Sequence, residues 1–385
     1  MNKLKVMTVV GTRPEIIRLS ATIKLLDKYT KQIFVHTGQN YDYELNEIFF
    51  QDLGLRRPDH FMKLDISSLG SAIGDIFKKT EEILNIEKPD ALLVLGDTNS
   101  SLSAYMAKRK HIPIFHMEAG NRSFDFNVPE EINRRIIDHI ADFNLVYTEH
   151  ARRHLLSEGL QHRRIYLTGS PMWEVLQQNK NKINKSNILN HLGVVKNEYF
   201  VVSVHREENV DNEDNLKQIL IVLNILAEEY NIPVIVSTHP RTKKRVELLD
   251  QKFKQQSSII NHRLINYSKP FRFTDYIHLQ KNALCVISDS GTISEESAIL
   301  SFPAISLRQS MERPEAQDAG TIILTGFDPE IVLKSIKISL EEQKVSSIKM
   351  IPQEYTITNT SWRVLKLIVG NTRLSSKWFG LNEKK

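Results

Sequence analysis

The sequence predicts an α/β protein made of two doubly wound, parallel-sheet domains. Three observations carry this. First, short apolar runs ending in Gly, His, Asp or Ser recur along the chain. In the first half they are Val6 to Val10, Ile33 to His36, Ala91 to Leu95, Ile114 to Met117 and Leu145 to Tyr147; in the second, Phe200 to Val204, Val234 to Ser237, Cys285 to Ser288 and Ala304 to Leu307. Second, amphipathic stretches of helical period lie between them, such as Glu15 to Thr30, Ser71 to Leu84 and Asn215 to Tyr230. Continuous β-branched runs are the mark of buried parallel strands, and their alternation with helices marks βαβ units. Third, 385 residues is a length for two ordinary domains rather than one core.

The alternation lapses around Gly169-Ser170-Pro171 and resumes near Tyr199. The expected domains are therefore residues 1–171 and 172–385, the second opening on a helical connector rich in lysine and asparagine. The segment after about residue 352, helical over Trp362 to Val369, is expected to cross back over the first domain. Ligands of such sheets sit beyond the carboxyl ends of the strands and, with two domains, in the cleft between them.

Charge and composition narrow the function. Lysine and arginine exceed aspartate and glutamate by 51 to 46, a net charge of +5 spread along the chain. A nucleic-acid protein concentrates such charge in a stripe with aromatics between, so nucleic acid is not an expected partner. The one dense basic run, Arg241, Lys243, Lys244 and Arg245, reads either as a solvated helix face or as a neighbour of bound phosphate. Cys285 is the sole cysteine, which excludes a disulfide framework and a thiolate metal site. No apolar run reaches membrane-spanning length, and Met1 to Val6 leads straight into a strand pattern, so a cytoplasmic location is expected.

The chemistry lies at the strand ends. Gly11-Thr12-Arg13-Pro14-Glu15 follows the first strand. Glycine permits the tight turn and Pro14 suits a helix start; the helix amides with the Arg13 guanidinium suit a diphosphate, though a plain capping turn uses the same residues. No GxGxxG and no GxxxxGK[ST] occurs, so neither a dinucleotide nor a P-loop reading has a fingerprint, and no cofactor is expected. Gly96-Asp97-Thr98-Asn99 follows another strand and His116-Met117-Glu118-Ala119-Gly120-Asn121-Arg122 the next; Pro129-Glu130-Glu131-Ile132-Asn133-Arg134-Arg135 comes soon after. Asp97 and Glu130 also fit helix-capping positions, but Glu118 sits between an apolar strand and a glycine, where no cap is needed. Clustered carboxylates with arginines read as acid–base machinery.

In the second half, Val204-His205-Arg206-Glu207-Glu208-Asn209 follows one strand and Thr238-His239-Pro240-Arg241 another. His205 reads as a site histidine or as a satisfied strand-end residue. Ser288-Asp289-Ser290-Gly291-Thr292 leads into a helix that carries Glu295 and Glu296, presenting amides and hydroxyls to phosphate oxygens and Glu296 to a ribose diol. Arg308 and Glu312-Arg313-Pro314-Glu315 follow the next strand.

Taken in order, these pieces resemble the non-hydrolysing UDP-N-acetylglucosamine 2-epimerase family over nearly the full chain. They are Gly11-Thr12-Arg13-Pro14-Glu15, Gly96-Asp97-Thr98, His116-x-Glu118-Ala119-Gly120-x-Arg122, Pro129-Glu130-Glu131-x-Asn133-Arg134, His205-Arg206-x-Glu208-Asn209, Asp289-Ser290-Gly291 with Glu295-Glu296, and Glu312-Arg313-Pro314-Glu315. The resemblance implies two Rossmann-like domains in a glycosyltransferase-B arrangement and a homodimer. It implies that Asp97, Glu118 and Glu130 are the acid–base carboxylates, and that His205 is catalytic or binds phosphate. It places Arg13, Ser290, Gly291 and Glu296 on UDP and Arg134 near sugar and diphosphate. Arg122 and Thr292 join the expected substrate-binding set, as do Arg206 and Arg313, whose charge suits a departing diphosphate.

Some residues depart from the family pattern. Asn121 replaces a usual leucine and is followed by Ser123-Phe124-Asp125; Thr292 replaces a second glycine, and Arg18 a lysine. Together with His36-Thr37-Gly38-Gln39-Asn40-Tyr41-Asp42, they look like the branch that makes UDP-N-acetyl-L-fucosamine from its 6-deoxy-L-talose epimer for capsule and O-antigen synthesis.

The chemistry asks for such residues. The carbon bearing the acetamido group has no adjacent carbonyl, so its proton is too weakly acidic for direct removal. Oxidation at C3 would need the absent dinucleotide loop. Elimination of UDP to a glycal and its readdition needs acids and bases around one ring, with cations and amides for the diphosphate. No metal is expected. The rival readings are the same reaction on UDP-N-acetylglucosamine, a glycosyltransferase of the same architecture, and a nucleotide-sugar sensor.

Overall fold

A computed structural model describes residues 3–38, 43–204, 206–238, 245–246, 263–345 and 351–378. The chain divides into two compact units. The first comprises residues 1–178 and 353–385, the second residues 179–352.

In the first unit the described elements run β1 (Lys5–Val10), α1 (Arg13–Tyr29), β2 (Lys31–His36), α2 (Tyr43–Leu53), β3 (His60–Phe61), α3 (Leu69–Glu87), β4 (Ala91–Leu95), α4 (Ser103–Arg109), β5 (Ile114–Met117), α5 (Pro129–Ile140), β6 (Phe143–Val146), α6 (Glu149–Ser157), β7 (Ile165–Leu167) and α7 (Met172–Asn184). They form a parallel seven-stranded sheet of order β3-β2-β1-β4-β5-β6-β7. Every residue of β4 is buried, as expected of a strand covered by helices on both faces. Met7, Val9, Val35, Leu92, Val94 and Ile114 pack on Ile76, Ile83 and Leu84 of α3 and on Ile137 of α5.

The second unit repeats the plan. Its strands are β8 (Phe200–Ser203), β9 (Val234–Ser237), β10 (Ile265–Ser268), β11 (Cys285–Ser288), β12 (Ala304–Ser306) and β13 (Ile323–Leu324), all parallel, in the order β10-β9-β8-β11-β12-β13. Leu216, Leu220, Leu223 and Leu226 of the helix Glu213–Tyr230 bury their stripe against Phe200, Val202, Val234 and Val236.

In each sheet the strand order reverses once, between β1 and β4 and between β8 and β11. That switch point, beyond the carboxyl ends of the strands, leaves a crevice that loops cannot fill. Of the motifs read from the sequence, Gly11 to Glu15 and Gly96 to Asn99 flank the first of these points, and Arg206 and Asp289 to Thr292 the second.

The chain leaves the first unit at Gln178 rather than near residue 171. Met172, Val175 and Leu176 of α7 are buried, and Glu174 accepts from the Ser361 amide at 2.9 Å. The last segment from Gln353 belongs to the first unit. Thr360 Oγ1 donates to the Thr168 and Ser170 carbonyls, both at 3.1 Å, and Trp362 of the final helix (Thr360–Trp378) meets Tyr29 of α1 at 5.4 Å between ring centroids. At Gly169 a Cβ would lie 2.5 Å from Ile357, so this return path needs glycine. Among the described residues no helix is long and apolar enough to cross a membrane.

Candidate active site

At the crest of the first sheet, Gly11-Thr12 turns β1 into α1. Glu15 Oε2 accepts the Thr12 amide at 2.9 Å and the Gly11 amide at 2.5 Å, satisfying N–H groups that a helix start leaves open. Its Oε1 accepts Thr98 Oγ1 at 2.5 Å and Ser100 Oγ at 2.7 Å, from the loop after β4. One buried carboxylate thus joins the two loops flanking the switch point. Burial raises its pKa above the ordinary carboxylate range against these hydrogen bonds, which lower it. Arg13 is half-buried on the same turn, its guanidinium 5.5 Å from the Phe49 ring centroid.

Glu118 directly follows β5 with φ of 64°, a left-handed conformation that costs a non-glycine residue roughly 1–3 kcal/mol. Such strain persists where the surroundings over-determine it, and it gathers at functional sites. Arg18 Nη1 donates to Glu118 Oε2 at 2.6 Å, and Asn121 Nδ2 to Oε1 at 3.4 Å. The carboxylate lies over the next loop: a Cβ on Gly96 would stand 3.9 Å from Glu118 Oε2. Asp97, one residue on, receives Arg134 through both Nε and Nη2, each 2.6 Å from Oδ2. Asn133 Nδ2 holds the Asp97 carbonyl at 2.9 Å. Glu130 is half-buried in the first turn of α5, beside Pro129. Asp97 and Glu118, with their arginines, are therefore brought together at one crest.

Arg122 takes a different place from the one expected. Its side chain is fully enclosed, Nη1 on Asp138 Oδ2 and the Asn121 carbonyl, Nε and Nη2 on the two Glu158 oxygens, all at 2.7 Å. With its donors turned inward it holds the loop to α5 and to Glu158. The pairing holds the Glu158 carboxyl down to about 2, chiefly through the Arg122 hydrogen bonds. Glu131, adjacent to the expected Glu130, is wholly buried and accepts the Ser123 amide, Arg134 and Arg135. Its burial acts against ionisation, but the Ser123 and arginine contacts outweigh it and lower the pKa.

In the second unit, Asp289 directly follows β11 and ties two loops. Its Oδ2 accepts the Arg206 amide at 3.0 Å and Asn209 Nδ2 at 2.8 Å, across the switch point. Ser290 Oγ lies 3.0 Å from Thr292 Oγ1 at the start of the helix Ile293–Leu300, with Gly291 between. Glu296, one turn into that helix, accepts Gln280 Nε2 at 3.0 Å. Tyr276 has its phenol pKa raised by burial and by the Glu296 charge. Arg206 and Arg308 both reach Glu312 Oε1, at 3.2 and 2.6 Å. Arg313 Nη1 is ion-paired to Glu295 and donates to the Gly291 carbonyl at 3.2 Å, so it ties the turn at Gly291 to the following helix. His205, His239, Pro240, Arg241, Lys243 and Lys244 lie outside the described residues, as do Gln39 to Asp42. Among the described residues no group of three or more His, Cys, Asp or Glu is placed to hold a metal ion.

A model of the UDP-N-acetylglucosamine 2-epimerase family matches residues 25–369. The chain belongs to this family. Among solved structures, it is similar to that of UDP-N-acetylglucosamine 2-epimerase from Rickettsia bellii, with a TM-score of 0.90 and 48% identity over 98% of this chain and 100% of that one. It is also similar to the Methanocaldococcus jannaschii UDP-GlcNAc 2-epimerase in complex with UDP-GlcNAc and UDP, with a TM-score of 0.87 and 34% identity over 95% of this chain and 100% of that one. A further relative is the UDP-2,3-diacetamido-2,3-dideoxy-D-glucuronate 2-epimerase of Pseudomonas aeruginosa, 31% identical over 88% of this chain and 92% of its own. The two parallel-sheet α/β domains are those of the epimerase family, whose members are isomerases acting on UDP-sugars.

Several residues of this epimerase-family chain escape a motif reading. Glu15 stands in the first motif with no part assigned to it, and the structure shows that it joins two loops. Arg18, one turn into α1, stands in the sequence only as the replacement of a lysine, and the fold turns it onto Glu118. Glu131 and Asp138 share the inward face of α5 with Arg134, and their seven-residue spacing is the one sequence signal that links them.

Proposed function

We propose that the chain epimerises C2 of a UDP-linked N-acetylamino sugar by eliminating and re-adding UDP. The observation that carries this is the pair of arginine-bound carboxylates, Asp97 and Glu118, on adjoining loops of one crest. In the first half-reaction a carboxylate takes the C2 proton. The C1–O bond then breaks with its electron pair leaving on UDP, and a C1–C2 double bond forms. In the second, an acid delivers a proton to the other face of C2, and the phosphoryl oxygen returns to C1. No electrons are lost, so no oxidant is needed. Two carboxylates whose surroundings differ are the usual means of holding an acid and a base at one pH. Ser290, Gly291, Thr292 and Glu296 serve the other end of the substrate: amides and hydroxyls at a helix start for the diphosphate, a carboxylate for the ribose diol. Arg13, Arg206 and His205 add positive charge for the leaving UDP.

For the sugar, we infer the 6-deoxy-L-talo substrate that gives UDP-N-acetyl-L-fucosamine. The support is Asn121, which puts an amide on Glu118 where a leucine could make no hydrogen bond. UDP-N-acetylglucosamine is the second reading, favoured by the names of the relatives. Incubation in deuterium oxide tests the reaction: deuterium should enter C2 of product and recovered substrate, and protium retained there would point to a transferase. Offering both UDP-sugars and following C2 configuration by NMR tests the substrate. Turnover of UDP-N-acetylglucosamine alone would overturn the L-sugar assignment.

A further inference from the structure

The acid–base reading gives no part to Asp138, a fully buried carboxylate below the first crest. Asp138 has no exposed surface and faces inward from α5, two turns after Glu131. The Gly120 amide stands 3.2 Å from each of its oxygens, Arg122 Nη1 donates to Oδ2 at 2.7 Å, and His116 Nδ1 lies 2.9 Å from Oδ1. His116 reaches onward, its Nε2 2.8 Å from the Gly96 carbonyl oxygen. A carbonyl only accepts, so Nε2 donates to Gly96 and turns Nδ1 toward Asp138, which it meets by close approach without a hydrogen bond. Gly96 immediately precedes Asp97, and Gly120 follows Glu118 by two residues. Asp138 is thus the common end of two short links, one to each loop that bears a reacting carboxylate.

Both loops need such a restraint. Gly96, Glu118 and Gly120 all have positive φ, 71°, 64° and 81°, and Glu118 does so with a side chain. At Gly120 a Cβ would stand 2.4 Å from the Ala151 carbonyl oxygen, so the turn is packed hard on α6. A buried ion cluster adds little net stability over an apolar core of the same volume. What this one supplies is geometry. We propose that Asp138 is a positioning residue for the epimerisation: through Gly120 and His116 it fixes the backbone from which Glu118 and Asp97 reach C2. The proposal rests on those two carboxylates being the acid–base pair.

Asp138→Asn keeps the size and one acceptor but removes the charge that gathers Arg122 and His116. A displacement of about 1 Å at reacting groups costs on the order of 100-fold in rate. Asp138→Asn should therefore lower kcat by about 30- to 100-fold, while KM and the UDP dissociation constant, measured by calorimetry, change less than about 3-fold. A wild-type kcat, or equal losses in kcat and UDP affinity, would overturn the proposal. Glu118→Gln, assayed alongside, separates it from its premise. If Glu118→Gln turns over normally, the acid–base reading fails and the proposal with it; if it is inactive while Asp138→Asn is not impaired, only the positioning role falls. Should Asp138→Asn not fold, His116→Leu removes the donor to Gly96 and leaves Gly120 and Arg122 on Asp138. It should lose about 10-fold in kcat with UDP affinity intact, and an unchanged kcat would refute the role.

Discussion

The crests of the two sheets use arginine differently. In the first unit, two arginines meet the acids proposed to react, Arg18 on Glu118 and Arg134 on Asp97, beside others that hold Glu131, Asp138 and Glu158. In the second unit, Arg206 and Arg308 meet Glu312 and Arg313 meets Glu295, acids with no proposed step, while Glu296 takes a neutral amide from Gln280. Charge pairing with a reacting carboxylate fixes its position and keeps a cation beside charge that develops there. A binding carboxylate held by an amide keeps acceptor capacity for hydroxyls. The contrast teaches that one crest is arranged for proton transfer and the other for grip, and substitutions at each should fail in different ways.

The largest break is expected at Glu118. Glu118→Gln keeps the shape and removes the base, and general acid–base groups are worth about 10²–10⁴ in rate, so kcat should fall by about 10³ or more. UDP affinity should stay within about 2-fold, since Glu118 is not among the groups proposed to hold UDP. Isothermal titration beside the NMR assay checks both; a parallel loss of the two would make Glu118 a structural residue.

Next comes Arg122, which sharpens the line between holding and reacting. Arg122→Met leaves Asp138 buried without its strongest partner, and breaking such a pair costs about 3–5 kcal/mol. Urea unfolding should show that loss. A destabilisation below about 1 kcal/mol would mean the cluster is not taut.

Both predictions turn on partners that strand-end motifs do not reveal. The central strands were legible because burial on both faces makes them continuous apolar runs, as in Ala91–Leu95 and Cys285–Ser288. The strands that the pattern missed, β3, β7, β10 and β13, are the four sheet edges. They are two to four residues long and largely half-buried, so no such run marks them. At the site, Asp97, Glu118 and Ser290 were legible because each follows a strand. Arg18, Glu131 and Asp138 were not, because a charge inside a helix reads as solvent-facing until the fold shows which face is inward. Arg122 shows the converse: its place in a motif says nothing of where its guanidinium turns.

A smaller effect is expected at the second crest. Glu296→Ala removes an acceptor for the ribose and leaves Gln280 without its partner. UDP affinity should weaken by about 10-fold, or roughly 1.4 kcal/mol, with kcat at saturation reduced less than about 3-fold. A kcat loss larger than the affinity loss would erase the division between the two crests.

The smallest effect concerns pH, and it too differs between the sheets. β2, beside β1, ends in His36, whereas β9, which stands in the same relation to β8, ends in Ser237 and cannot titrate in this range. His36 is buried, stacked on Phe61 at 5.0 Å, with Nδ1 accepting the Gly38 amide at 3.0 Å; among the described residues nothing bonds its Nε2. Burial pushes its pKa down from 6.5 to about 4. Between those values the unfolded chain takes up a proton that the folded chain refuses. Stability from this group is therefore full above 6.5 and is lost as pH falls toward about 4. His36→Asn keeps an acceptor near Gly38 and does not titrate. The stability difference between wild type and this variant, followed by urea unfolding from pH 7.5 to 4.5, should shift against the wild type by about 1 kcal/mol near pH 5.5. A difference that stays flat would mean that the folded protein lets water reach the His36 ring, and that the first crest is less dry than its packing indicates.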